Sequence, residues 1–297
     1  MSEARPARPP WLRIRLRTDE NYRRLRAMVD ELSLNTVCEE ARCPNIYECW
    51  NAGTATFMIL GETCTRRCGF CNVKSGLPRP GVDADEPGHV AEAVARLGLG
   101  HVVVTSVDRD DLPDGGAQHF SDVIRAIRGR NPRCAVEVLT PDFKNRPEAL
   151  EVVLAAEPEI FAHNVETVPR LYREARPGSR YDVSVGLLAA AACERDRGAS
   201  STRVKSSLML GLGERDEEVL RVMRDLRDAG VEILTLGQYL QPTAEHLPVE
   251  RFVTPEQFET FRASGEEMGF RHVESGPLVR SSYHAERHVP RGDPART

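Results

Sequence analysis

The sequence lacks both a long apolar run and an excess of positive charge. Its longest uninterrupted apolar run, from Leu187 to Cys193, is far shorter than the roughly 20 residues that a membrane-spanning helix needs. With 40 Lys and Arg against 45 Asp and Glu, the formal net charge is -5, which provides no general attraction for nucleic-acid phosphates or anionic lipid. We therefore expect no nucleic-acid partner and no membrane partner.

The amino-terminal stretch MSEARPARPPWLRIRL has no apolar segment of the secretory-signal type, and its prolines disfavour an amphipathic transit helix. We therefore expect a cytoplasmic protein. Hydrophobic residues make up 40% of the 297 positions and charged residues 29%, a balance typical of a globular chain that buries its core without disulfides. A disordered or fibrous chain is excluded.

Cysteine is concentrated in one region. Two of the eight cysteines, Cys134 and Cys193, are isolated, and we expect both to be buried as small hydrophobic residues. The other six fall within 34 positions: Cys38, Cys43, Cys49, Cys64, Cys68 and Cys71. In a cytosolic chain such clustering favours a metal site over disulfides.

Short β-branched runs alternate with amphipathic helical stretches beyond the cysteines. Strands are predicted at 56–60, 101–105, 135–139, 159–163, 204–210 and 232–236. Helices are predicted at 21–34, 90–97, 120–127, 147–155, 183–193, 217–229 and 254–269, the last with Thr254 as N-cap. Six βα units predict a parallel sheet, either an open doubly wound sheet or a curved, barrel-like one, and periodicity does not choose between them.

The second cysteine triplet, Cys64, Cys68 and Cys71, has the spacing C-x3-C-x2-C directly after the first strand. Structural zinc takes four ligands, and no histidine is near because the first in the chain is His89. Three thiolates can instead hold a cubane iron–sulfur cluster with one iron open to another ligand. Zinc, or a purely structural role, is the alternative. Phe70, between the last two cysteines, is placed to flank that open iron.

This motif at the start of a six-unit βα chain resembles the radical S-adenosylmethionine (SAM) superfamily. The resemblance implies a partial (βα)6 TIM-like barrel whose open iron binds SAM, with 5'-deoxyadenosyl radical formation. The first triplet, Cys38-x4-Cys43-x5-Cys49, and the stretches TFMILGETCTRRCGFCNV, TSVDRDDLPDGGAQHF and GPLVRSSYHA make the order of motifs closely similar to the lipoyl synthase family. That similarity covers residues from about 36 to 285.

The lipoyl synthase resemblance implies an auxiliary 4Fe-4S cluster on the first triplet, with a serine of RSSY as the fourth ligand. That serine is Ser281 or Ser282, and the match to the motif favours Ser282. The implied reaction inserts two sulfur atoms, drawn from the auxiliary cluster, at C6 and C8 of an octanoyl group on a carrier-protein lysine. It implies two SAM molecules per product, a low-potential electron donor and cluster-assembly proteins. The alternatives are a methylthiotransferase and a non-enzymatic zinc or iron–sulfur module.

Further candidates for SAM binding come from the superfamily pattern. They are Gly115 and Gly116, where Ala117 replaces the usual acid, Asn164 and Glu166 after the fourth strand, and Gly211 in SLMLGLGE. Each also has a plain interpretation as a turn or a polar cap.

Three neighbouring aspartates, Asp108, Asp110 and Asp111, more commonly form a solvated or arginine-paired loop than a divalent-ion site. His163 is expected to be a hydrogen-bonded structural histidine. We expect three segments: an arm at 1–54 with the auxiliary cysteines, a barrel at 55–270, and a tail at 271–297 that caps the open barrel with the arm.

Overall fold

The computed structural model describes residues 8–14, 18–51 and 54–288. Its strands in chain order are β1 Asn35–Thr36, β2 Thr56–Ile59, β3 Thr63–Cys64, β4 Lys74–Ser75, β5 His101–Ser106, β6 Ala135–Leu139, β7 Ile160–Ala162, β8 Arg203–Leu210, β9 Ile233–Gln238 and β10 His272–Gly276. Short 3-10 helices form at Pro10–Leu12, Pro169–Leu171 and Ala285–Arg287. The α-helices are α1 Glu20–Glu31, α2 Val37–Glu40, α3 Ile46–Asn51, α4 Glu86–Leu97, α5 Ala117–Arg130, α6 Pro147–Leu154, α7 Tyr172–Ala175, α8 Tyr181–Asp196, α9 Asp216–Asp228 and α10 Pro255–Glu267.

The main sheet has eight strands in the order β1-β2-β5-β6-β7-β8-β9-β10, and β3 pairs with β4 separately. Every neighbouring pair from β2 to β10 is parallel, whereas β1 runs antiparallel to β2. Within the described residues β1 and β10 are the two edges, so the sheet is not closed. Helices α4, α5, α6, α8, α9 and α10 provide the crossovers of this parallel sheet.

Curvature of the sheet decides between the two predicted architectures. Thr56 and Met58 of β2 line the same cavity as Gly237 and Gln238 of β9, although four strands lie between them in the sheet. A flat doubly wound sheet would hold these strands about 24 Å apart, since neighbouring strands are spaced by about 4.8 Å. The predicted partial barrel is therefore confirmed, as an open one.

All six predicted strands are present, but β10 was not predicted. Its sequence, HVESG, contains one aliphatic residue, Val273, and only that residue is buried. The strand forms because its backbone pairs with β9 from His272 opposite Ile233 to Gly276 opposite Gly237. Tertiary pairing, rather than local β propensity, thus adds a seventh parallel strand.

The helices follow the predicted apolar periodicity. In α5 the residues Phe120, Val123, Ile124 and Ile127 are all fully buried, as one face of a helix at i, i+3, i+4 and i+7 should be. The predicted cap of α10 is confirmed, because Thr254 Oγ1 accepts a hydrogen bond from Gln257 N at 3.2 Å.

One cysteine prediction is wrong. Cys134 is buried as expected, but Cys193 is exposed. Helix α8 turns Leu188, Ala191 and Ala192 inwards, and Cys193 comes one position later, on the outer face. Separately, no helix within the described ranges is long and apolar enough to cross a bilayer.

Candidate active site

The loop that carries Cys64, Cys68 and Cys71 is held by backbone contacts from distant segments. Gly69 donates from N to Ala175 O at 2.9 Å and accepts at O from Leu247 N at 2.9 Å. A Cβ on Gly69 would lie 2.9 Å from Leu247 Cγ and 3.2 Å from Glu174 O. Glycine is therefore required between Cys68 and Phe70 by this close approach.

A buried arginine, Arg66, binds this cysteine loop to neighbouring carboxylates. Arg66 donates from Nε to Asp110 at 2.9 Å and from Nη1 to Asp142 at 2.8 Å and to Ser179 Oγ at 2.9 Å. Its side chain is only 4% exposed. Bidentate guanidinium–carboxylate pairs of this kind are geometrically specific, so Arg66 fixes the loop segment between Cys64 and Cys68.

The acidic loop is paired with arginines, as expected. Arg66 Nε also lies 3.3 Å from Asp108 Oδ1, and Arg109 binds Asp111 through two nitrogens. These pairs match the expected arginine-paired loop.

All three cysteines of this loop, together with Phe70, line a cavity of about 320 Å³ at the carboxyl ends of the strands. This is the end at which parallel α/β folds place their sites. The cavity also reaches Ser281 and Ser282 in the tail. It is a size that suits a small organic ligand.

Asn164 and Glu166 line the cavity after β7. Asn164 Nδ2 donates to Glu166 Oε1 at 3.1 Å, whereas the buried Asn164 Oδ1 has no hydrogen-bond partner among the described residues. Glu166 has a φ of 66°, a left-handed conformation that is strained in a residue other than glycine and often marks a functional site. Burial raises the pKa of Glu166, and Arg176 partly opposes this rise.

The three candidate glycines are not among the cavity-lining residues. Gly115 and Gly116 both have positive φ and pack against Phe143 and Leu60 before α5. Gly211 has a φ of 103°, and a Cβ there would meet Gln238 Nε2 at 2.2 Å. Their backbone freedom therefore serves close packing of the strand ends that surround the cavity.

Arg176 is a cavity residue that the sequence analysis missed. It donates from Nη1 to Asn164 O at 2.8 Å, and its guanidinium lies 5.4 Å from the ring centre of Tyr172. It follows the four-residue helix α7, where no periodic pattern exists to single it out. By contrast His163 is hydrogen-bonded at both ring nitrogens, to Thr140 O and to Ser184 Oγ, so the expected structural role is confirmed.

The first cysteine triplet lines a smaller neighbouring pocket. Cys38 belongs to α2 and Cys49 to α3, while Cys43 lies between them and donates from N to Cys38 O at 3.0 Å. The tail is tied to this arm by Asn45 Nδ2, which donates to Leu278 O at 2.7 Å, and by Tyr283 Oη, which donates to Glu48 at 3.0 Å.

Ser282 lines both the larger cavity and the smaller pocket, whereas Ser281 lines the larger cavity alone. Arg280, the first residue of RSSY, also lines both, although it was not among the predicted site residues. Ser282 thus shares a pocket with the first triplet, and Ser281 does not.

The donor sets fit iron–sulfur clusters better than mononuclear zinc. All six cysteines are free thiols, and across the described residues no cysteine belongs to a group of three donors within 4.8 Å. Zinc thiolates crowd around a single ion with bonds of about 2.3 Å, whereas a cubane spreads its ligands over separate irons. Burial raises the pKa of Cys49 and Cys68 to about 12, so these thiols need a bound cation to ionise at neutral pH.

Asp108 makes ionisation of the Cys64 thiol without a bound cation still less favourable. The pKa of the Cys64 thiol is raised to about 12 by burial and then by the neighbouring Asp108 carboxylate. Backbone N–H groups of Arg66 and Asp108 point at its sulfur from 3.4 and 3.3 Å. These donors would stabilise a sulfur that carries negative charge, as a cluster ligand does.

Two family models match the chain. The Radical SAM superfamily model matches residues 58–235, and the model of the N-terminal domain of lipoyl synthase matches residues 2–43. The lipoyl synthase of Rubrobacter xylanophilus is 57% identical over 95% of this chain and 86% of its own length, and that of Thermus thermophilus is 56% identical over 97% and 90%. The chain belongs to the lipoyl synthase family of the radical SAM superfamily.

The family extends to eukaryotes. A protein named mitochondrial lipoyl synthase from Nematostella vectensis is 50% identical over 96% of both chains. Membership of the lipoyl synthase family makes this chain an enzyme of the radical SAM class, which uses SAM and iron–sulfur chemistry. It supports the main interpretation over the methylthiotransferase and zinc-module alternatives.

Solved structures with the same fold are more distant in sequence. Streptococcus suis SuiB bound to precursor peptide SuiA has a TM-score of 0.58 at 10% identity, covering 90% of this chain and 55% of that one. Methylornithine synthase has a TM-score of 0.54 at 15% identity, covering 88% and 83%. At such identities the similarity concerns the fold alone.

Proposed function

We propose that this member of the lipoyl synthase family inserts two sulfur atoms, at C6 and C8, into an octanoyl group linked to a lysine of a carrier protein or domain. The observation that carries the proposal is the position of Ser282, which lines both the cavity of the second cysteine triplet and the pocket of the first. A substrate chain in the cavity would therefore lie between the two sets of cysteines. The curated relatives named lipoyl synthase support the same activity.

The residues fit two 4Fe-4S clusters. Cys64, Cys68 and Cys71 would hold the cluster whose open iron takes SAM, and Ser282 would complete the set of Cys38, Cys43 and Cys49. When bound, the clusters supply radical generation from SAM and the sulfur to be inserted.

Polar residues at the strand ends suit the amino-acid and ribose groups of SAM. Asn164 Oδ1 is a buried acceptor without a partner in the described part of the chain, and such a group costs free energy unless a ligand satisfies it. Glu166 and Arg176 offer a second acceptor and a cation in the same wall. Phe70 would flank SAM from the cysteine loop.

Apolar residues in the rest of the cavity suit an alkyl chain. They come from the arm, the strands and the tail: Val37, Met58, Val73, Leu139, Leu240 and Val279. Such a lining binds methylene groups and keeps water from a reactive carbon radical. Because hydrogen abstraction from an unactivated carbon needs no base, the fully hydrogen-bonded state of His163 is compatible with this chemistry.

The arm at 1–54 and the part of the tail at 271–297 that follows β10 would together cap the barrel at 55–270, while β10 itself extends the sheet. The contacts of Asn45 and Tyr283 with the opposite segment support this arrangement. A cytoplasmic location, a low-potential electron donor and cluster-assembly proteins complete the proposal.

The test is product formation by anaerobically reconstituted protein with SAM, a reductant and an octanoylated carrier peptide. The proposal predicts a peptide heavier by two sulfur atoms, with 5'-deoxyadenosine in the same reaction. A product that gains a methylthio group would support the methylthiotransferase alternative. Iron and sulfide of about eight each per chain would agree with two cubanes, whereas zinc in the cysteine sites would overturn the proposal.

A further inference from the structure

Three of the eight histidines lie near the amino-terminal ends of the strands. His101 and His272 are the first residues of β5 and β10, and the His288 ring centre lies 4.5 Å from that of His272. The segment that follows RSSY brings His288 to this place. Neither the cysteine motifs nor the proposed chemistry uses this cluster.

Three side chains in this region offer metal ligands at short range. His272, Glu274 and His288 each present one donor atom, and the three atoms lie within 4.8 Å of one another. Among the described residues this is the only such group. His272 and Glu274 share one face of β10 because alternate residues of a strand do so, and His272 Nε2 lies 3.4 Å from Glu274 Oε2.

His288 is buried with one ring nitrogen engaged and the other without a partner among the described residues. Its side chain is buried, with 2% exposure, and its Nε2 has no hydrogen-bond partner in the described part of the chain. Its Nδ1 is already engaged, 3.1 Å from Lys205 Nζ, and Lys205 in turn contacts Glu137 at 2.6 Å. The free Nε2 can take a metal ion once Nδ1 becomes the hydrogen-bond donor that the second nitrogen of a metal-binding histidine usually is.

We propose that His272, Glu274 and His288 bind a zinc ion that fastens the segment after Ser282 to β10, the last strand of the sheet. Two imidazoles and one carboxylate are a ligand set that zinc accepts, with a fourth position left for water. Ligation through His288 Nε2 requires the single ring proton to be on Nδ1, which then donates a hydrogen bond to Lys205 as a neutral amine. The proton that the Lys205 ammonium gives up moves to the Glu137 carboxylate, which it contacts at 2.6 Å. The ion would stabilise the tail just after Ser282.

The test measures zinc on protein that already holds its iron–sulfur clusters, so that the cysteines are occupied. After incubation with zinc sulfate and desalting, we expect about one zinc per chain with unchanged iron. His288→Gln and Glu274→Gln should each lose most of this zinc while retaining wild-type iron, which shows that they are folded. His89→Gln, at a half-buried histidine of α4, should bind zinc as the wild type does.

Zinc X-ray absorption identifies the ligands independently of any variant. The proposal predicts a nitrogen and oxygen shell at about 2.0–2.1 Å with imidazole scattering. A sulfur shell at about 2.3 Å would place the zinc on cysteines and overturn it. Absence of retained zinc in the wild type, or equal zinc in the His288 and Glu274 variants, would overturn it as well.

Discussion

Replacing Arg66 with methionine removes the cation that pairs with the carboxylates beneath the cysteine loop. The Asp142 side chain is 3% exposed and that of Asp110 is 17% exposed, so neither can recover full hydration. Removing one partner of such a buried pair costs about 3–5 kcal/mol. At about 2 °C per kcal/mol for a chain of this size, the thermal midpoint should fall by about 6–10 °C.

The assay is differential scanning calorimetry under anaerobic conditions, with all variants scanned at one rate. Arg67→Met is the matched control because Arg67 is the exposed neighbour, and it should shift the midpoint by less than about 1 °C. Adding Asp142→Asn to Arg66→Met should recover part of the fall in the thermal midpoint, because it removes the carboxylate charge that Arg66→Met leaves unpaired. A single Arg66→Met variant within about 2 °C of the wild type would refute the reasoning.

Three further predictions concern the tail, a glycine and the thiols. Ser282→Ala should lower both the iron retained by the first triplet and the yield of dithiolated product. Ser281→Ala should lower both by less, because Ser281 lines only the larger cavity. If the two variants lose iron and product to the same extent, this prediction is wrong. Gly116→Ala should lower the free energy of unfolding by about 1–3 kcal/mol, because the new Cβ would lie 2.3 Å from Leu60 Cδ1 at a φ of 92°. The control Gly129→Ala, where a Cβ in α5 meets open space, should be neutral or stabilising. A Gly116→Ala variant as stable as the wild type would contradict the packing argument. In cluster-free protein, burial raises the pKa values of Cys64, Cys68 and Cys71 above the ordinary 9.0. The protonated thiols therefore stabilise the folded state below pH 9, and this stabilisation is lost as the pH rises towards 12. The urea midpoint should fall over this pH range, and it should fall by less when these three cysteines are replaced by serine.

Local sequence signals predicted the six central strands and the helices between them because apolar periodicity is a property of each segment by itself. Strand β10 could not be found this way, since its formation depends on pairing with β9 rather than on its own residues. The same distinction separates the site residues. Cys64, Cys68 and Cys71 are close in the chain, and their spacing was enough to bring them to one cavity.

Residues whose placement depends on the tertiary fold were harder to assign. Arg176 joins the cavity through its bond to Asn164 O, a contact that no sequence pattern encodes. Gly116 and Gly211 were predicted near SAM; neither lines the cavity, and at positive φ they pack closely against Leu60 and Gln238. Their contact with SAM stays a prediction, whereas the backbone requirement that the glycine motifs indicate is present in the structure.

The most direct test of the proposed division of labour is a paired measurement of 5'-deoxyadenosine and of sulfur added to the octanoyl peptide, made on the same reactions. Cys68→Ala should produce neither, and Cys43→Ala should produce 5'-deoxyadenosine without adding sulfur. Cys193→Ala, on the exposed face of α8, should behave as the wild type. If Cys43→Ala still yields peptide carrying two added sulfur atoms, the first triplet does not hold the sulfur source, and the central claim is contradicted.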